Sequence, residues 1–193
     1  MATTFKTLNS ANDVTSTRTL LHEAIPLTGT IASGTYTDEN IKTYSHGMFE
    51  SVYDYPYLSS SANHIFDITT GYASNSSLSG AASIQNSKKL NIYSQMAQVL
   101  VGYDATGSIQ SFDQDGDIAG GGTKIKEALF VNFSRLLSKD EIKKGSFEMA
   151  VYTAGAMPAL TTTLTIADHE AATSYKVNSP AGEYGILYTS SSG

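Results

Sequence analysis

The stretch Asp113-Gln114-Asp115-Gly116-Asp117 sets carboxylates at alternate positions, the opening pattern of a calcium loop. Such a loop needs several hard oxygens converging on one ion, a glycine at its sixth position and a bidentate glutamate at its twelfth. Counted from Asp113, the sixth residue is Ile118 and the twelfth is Lys124, so the EF-hand pattern fails and the stretch reads as an exposed acidic turn. Gly120-Gly121-Gly122-Thr123-Lys124 lacks both the order and the preceding apolar strand of a phosphate cradle, and reads as a glycine hinge. Zinc needs three or four convergent ligands; His22, His46, His64 and His169 form no pair at i, i+4. His64 with Asp67, and His169 with Asp168 and Glu170, are the pairings in which a base could meet an orienting carboxylate. Serines are abundant, but no G-x-S-x-G elbow presents one as a nucleophile. Glu39, Glu50, Asp54 and Asp67 lie among aromatic rings, yet nothing in the sequence fixes two of them at the spacing glycoside cleavage requires. No catalytic residue, cofactor-binding residue or metal ligand is assigned, and the expectation is a protein that is not an enzyme.

Composition narrows the classes further. The 193 residues suffice for one core, or for one domain and an extended arm. Ser and Thr number 47 while charged residues make up only 16%, a balance suited to β-rich assembly proteins and adhesins. A net charge of −6, with basic residues scattered, argues against sequence-independent nucleic-acid binding, which needs clustered Lys and Arg. The chain has no cysteine, so disulfides, thiolate metal sites and cysteine nucleophiles are excluded. Its first residues lack the pattern of a secretory signal, and no run of 18 apolar residues suggests a membrane span.

The elements that would position any site read as α+β, β-dominant: an antiparallel sheet or sandwich with one main amphipathic helix and an extended N-terminal segment. Residues 1–47 alternate short apolar runs with Thr, Ser and Gly and are expected as an extended arm or strands; Thr17–Leu27 is one strand candidate. Residues 48–193 are expected to form a single β-rich domain. Its helix spans about 87–102: Leu90, Tyr93, Ala97, Leu100 and Val101 share one face at helical spacing, Asn86 or Ser87 caps the start and Gly102 the end. Ala128–Leu136 and Phe147–Thr153 read as strands around a helical turn. That turn has a capping box at Ser138 and Glu141, solvent-facing Lys143 and Lys144, and a stop at Gly145. Leu160–Ile166 alternates with period two, and Ser174–Val177 and Tyr184–Thr189 flank the turn Asn178–Gly182. The ending TSSSG carries no stop signal and reads as a chain that runs on.

Half of the twelve tyrosines fall between Tyr36 and Tyr72. In an extended chain Tyr53, Tyr55 and Tyr57 would point the same way. With Tyr36, Tyr44 and Phe49 they are the candidate interface residues, since rings with an apolar body and a polar tip suit protein contacts; the alternative is that they line the domain's own core.

Two segments carry a resemblance. FESVYDYPYLSSSANHIFDITTGY at Phe49–Tyr72, and KEALFVNFSRLLSKDEIKKGSFEMAVY at Lys126–Tyr152 with GEYGILYTSSSG at Gly182–Gly193, are similar to a virion structural protein of tailed phages of the cyanophage and myophage kind. These stretches amount to about a third of the chain, and no functional residue transfers. The resemblance implies a component of tail, baseplate or neck, made in the host cytoplasm and located in the virion. It would contact other virion structural proteins as a symmetric homo-oligomer, with no nucleic acid, membrane or cofactor. The competing reading is a receptor- or glycan-binding module of a tail fibre or adhesin.

Overall fold

The computed structural model of the chain describes residues 24–25, 38–80, 84–138, 141–156 and 159–189. In chain order its elements are β1 (Ala24–Ile25), β2 (Ile41–Thr43), β3 (Glu50–Tyr53), β4 (His64–Tyr72), α1 (Ile84–Leu100), β5 (Phe112–Asp113), β6 (Lys124–Ile125), β7 (Glu127–Phe133), α2 (Arg135–Ser138), β8 (Glu141–Ile142), β9 (Glu148–Ala156), β10 (Ala159–Ala167), α3 (Ala171–Ser174), β11 (Lys176–Ser179) and β12 (Gly182–Tyr184). The architecture is α+β and β-dominant as expected, with mostly antiparallel strands in several sheets and one main helix. A four-stranded sheet runs in the order β2-β3-β4-β7, and the rest of the strands pair in twos: β1 with β8, β5 with β6, β9 with β10, β11 with β12. Residues 38–47 therefore belong with the sheet through β2. The remainder of the expected N-terminal arm, apart from Ala24–Ile25, lies outside the described residues.

Strand alternation sorts β4 into two faces. Its register with β7 sets Gly71 against Ala128 and Thr69 against Phe130 on one face, and Phe66 against Phe133 and Ile68 against Val131 on the other. Helix α1 lies on the first face. At Gly71 an added Cβ would sit 2.8 Å from the Tyr93 amide nitrogen and 3.1 Å from the Lys89 carbonyl, so the missing side chain is what lets the helix backbone meet the strand. Around this crossing Ala73, Tyr93 and Ala97 are buried, with Phe112, Ala128 and Phe130 packed on them. The Tyr93 and Phe112 rings meet edge to face at 5.4 Å, and Phe112 continues to Phe130 at 5.6 Å.

The helix starts three residues earlier than expected. Asn86 is no cap: it is buried within the first turn, accepts from the Tyr72 hydroxyl at 2.6 Å and donates to the Ser79 carbonyl at 2.8 Å. Of the expected stripe, Tyr93, Ala97 and Val101 are buried, Leu100 is exposed, and Ile92 takes a buried place on the flank. Gly102 ends the helix as expected, at φ 86°, with its N–H donating to the Ala97 carbonyl at 3.0 Å.

The region after β7 differs most from expectation. The helical turn falls at Arg135–Ser138, before the expected capping box, and the Ser138 hydroxyl donates back to the Ser134 carbonyl. Glu141 and Ile142 are extended and pair with Ala24 and Ile25, so a distant strand claims the residues that would have formed the first helical turn. Gly145 still turns the chain, at φ 79°. Toward the C-terminus, part of the expected strand Ser174–Val177 is α3. The strand expected at Tyr184–Thr189 is split between β12 and a bridge from Tyr188 to Ala167.

The core is thin. Among the described residues nine apolar side chains are buried, four of them alanine, while seventeen large hydrophobic residues are exposed.

Candidate interaction surface

An open apolar groove of about 770 Å³ runs between α1, the β4–β7 side of the sheet and the β9–β10 hairpin. Fifteen of its nineteen lining residues are apolar, and Asp67 is the single titratable one. Ile92, Met96 and Leu100 come from one line of the helix at i, i+4, i+8; Leu129, Val131 and Phe133 come from β7; Met149, Val151 and Ile166 come from the hairpin. The Phe66–Phe133–Phe147 ring series links sheet to hairpin at 5.9 and 5.8 Å. Leu129 stands 53% exposed at the lip.

Of the six expected interface residues, the structure places two beside this groove. Phe49 lines it. Tyr44 stacks on His46 at 5.1 Å and tilts against Phe49 at 5.0 Å, with the Lys42 ammonium 5.0 Å over its ring. At the other end of β3, Tyr53 packs on His64 at 5.5 Å and on Tyr57 at 6.4 Å. The strand ends at Tyr53, and the turn held by Asp54 and Asn63 folds the chain back, so the three tyrosines do not form one straight row. Asp54 is held below the usual carboxylate range chiefly by the Asn63 backbone N–H. Tyr55 is exposed, and Tyr36 lies outside the described residues.

Beneath the rings is a polar chain. The Tyr44 and Ser51 hydroxyls are 3.3 Å apart, the Ser51 hydroxyl donates to Asp67 Oδ1 at 2.5 Å, and His64 Nε2 meets the same oxygen at 2.8 Å. The sequence pairing of His64 with Asp67 is thus real. Its order, however, is serine–aspartate–histidine. A nucleophilic serine needs the imidazole against its own hydroxyl and the carboxylate behind the imidazole; here the carboxylate stands between them. The network joins β3 to β4 where Ser51 faces Asp67 across the sheet. The other pairing is not assembled: Asp168 is buried and accepts the backbone N–H groups of Gly145 at 2.7 Å and Phe147 at 2.8 Å, while His169 and Glu170 are exposed.

The acidic loop holds a cation of its own. Lys124 Nζ donates to Asp113 Oδ2 at 2.7 Å and to the carbonyls of Ile118 at 3.1 Å and Asp117 at 3.2 Å. The Asp113 side chain is 1% exposed. Hydrogen bonding from Asp115 first, then from the Lys124 ammonium, holds the Asp113 carboxyl well below the usual carboxylate range. Gly120–Gly122 close the β5–β6 turn, the Gly120 N–H donating to Asp117 Oδ1 at 3.1 Å. No group of three or more potential ligands for a metal ion occurs among the described residues.

A second cleft, about 470 Å³, contains Lys144. It was expected to face water, but its ammonium bonds Glu183 at 2.8 Å and Glu141 at 3.0 Å and lies 4.9 Å over the Tyr175 ring. Glu183, then Glu141, push its pKa up, the opposite of what a lysine acting as base or Schiff-base nucleophile needs. The groove lip at Leu129, Met96 and Met149 was missed by sequence reasoning; alternation along β7 was the signal available, and it could not say which face stays uncovered. No protein-family model, no curated protein and no solved structure matches the chain. No helix of the described residues is long and apolar enough to cross a membrane.

Proposed function

We propose that the chain is a structural component of a tailed-phage virion, in tail, baseplate or neck, and that it acts through protein–protein contacts with copies of itself and other virion proteins. The observation that carries this is the apolar groove, whose single titratable residue is already bonded to Ser51 and His64. A groove of this breadth with so few polar groups suits burial of another polypeptide; a polar substrate would need convergent donors and acceptors. The excess of exposed over buried large hydrophobics points the same way, because subunits of an assembly complete their cores with neighbours. The resemblance at Phe49–Tyr72 and Lys126–Tyr152 supplies the kind of assembly.

A receptor- or glycan-binding module is the second reading, and the exposed rings of Tyr55 and Tyr57 beside Asp54 favour it. Sedimentation of the full chain, together with immunogold labelling of purified tailed particles, tests the two. A concentration-dependent oligomer and a label at one fixed place on the particle are expected. A monomer at every concentration, with or without binding to a cell-surface polysaccharide, overturns the assembly reading; polysaccharide binding by that monomer establishes the second.

A further inference from the structure

The β9–β10 hairpin has nine residues in each strand, and among the described residues the two strands pair only with each other, apart from the bridge at Ala167. An isolated two-stranded ribbon is marginal in water, and a long uncharged edge is a template for another strand. Ala167 exchanges both backbone hydrogen bonds with Tyr188, at 2.9 and 2.8 Å, on the side away from β9. In an antiparallel ladder the residues facing outward alternate. The register then turns the backbone groups of Glu148, Ala150, Tyr152 and Ala154 toward the edge of β9 away from β10. Tyr188 covers the base of the β10 edge, so among the described residues the β9 edge is the longer open one.

We infer that this β9 edge pairs, antiparallel and about a twofold axis, with the β9 edge of a second copy of the chain. The inference rests on the assembly reading and names its partner. Three features select a second copy. Glu148 is the single charge in either strand, and it stands at one end. Antiparallel self-pairing therefore sets it opposite the uncharged far end of the partner strand, with no like charges in contact. Tyr152, half exposed near the middle of β9, lies near the axis, where an aromatic side chain meets its own copy. The edge also carries no lysine, proline or inward charge of the sort that blocks strand addition.

The chain's lack of cysteine gives a clean test. Around a twofold axis one residue of the strand faces itself at a Cα separation a disulfide can span, while residues two places away do not. Single cysteines are placed in turn at Ala150, Val151, Tyr152, Thr153 and Ala154, with Ser59→Cys as an exposed control, and oxidised. One position is expected to give a disulfide dimer well above the control. In the unaltered chain, amide exchange at Ala150, Tyr152 and Ala154 is expected to slow as concentration rises. An oligomer in which all five cysteines behave like the control overturns the β9 pairing and leaves the assembly reading standing. A monomer throughout overturns both. Amides protected equally across concentrations at which sedimentation shows the chain passing from monomer to oligomer show the edge covered within one copy, and that also overturns the pairing.

Discussion

Lys124 and Asp113 face each other directly across β5 and β6, and the lysine ammonium lies 2.7 Å from the aspartate carboxylate. The twelfth position of a calcium loop would supply both oxygens of a bidentate carboxylate to a metal; here it supplies the positive charge itself. Because the Asp113 pKa is lowered on folding, its contribution to stability is present above the unfolded carboxylate value and is lost as pH falls through the folded one. Asp113→Asn is therefore expected to lower Tm at neutral pH, with the gap from the unaltered chain closing below about pH 4. Melting curves from pH 2 to 7 check it. Chelator or added calcium is expected to leave Tm of the unaltered chain unchanged.

Gly71→Ala drives a methyl group against the backbone of α1 at Tyr93 and Lys89. Overpacking against backbone costs about 1–3 kcal/mol. At roughly 2–4 °C per kcal/mol for a chain of this size, Tm should fall by several degrees. A neutral result would mean that the helix does not lie on β4 at this point.

Lys144→Met removes two ion pairs and the contact over Tyr175, for an expected loss on the order of 1 kcal/mol. The lysine pKa is raised on folding, so its stabilisation is complete below the ordinary 10.5 and fades as pH climbs through the folded value. Denaturant unfolding at pH 8 and pH 11 should show the variant and the unaltered chain converging at the alkaline end.

Asp168→Ala leaves the amides of Gly145 and Phe147 without their acceptor. The expected cost is about 1–3 kcal/mol, and it should appear first as faster amide exchange at the start of β9.

Leu129→Glu places a charge on the groove lip at an exposed position. Stability should change by about 0.5 kcal/mol or less, while sedimentation should show the oligomer weakened. A drop in Tm with assembly intact would mark Leu129 as a core residue instead.

What could be read from the chain in advance was what local pattern decides. The period of Leu160–Ile166, the helix around Tyr93 and Ala97, and the stop at Gly102 all follow from spacing within one element. What could not be read depends on distant partners. Ser138 and Glu141 have the spacing of a capping box, yet Glu141 pairs with Ala24 instead. Lys144 looked solvated because Glu183 is far along the chain. Asn86 looked like a cap because its true partners, Tyr72 and Ser79, precede the helix. At the candidate surface the rings of Tyr44, Phe49, Tyr53 and Tyr57 were visible as residues, but the turn after Tyr53 that divides them into two groups was not.

The parallel pairing of Ala24–Ile25 with Glu141–Ile142 joins residues more than half the chain apart. A ribosome releases the first of these long before it has made the second, so this contact closes only after every residue of the sheet and helix between them has been made. The strand Ala24–Ile25 is thus a late fastening, which must wait for the chain to be made as far as Ile142.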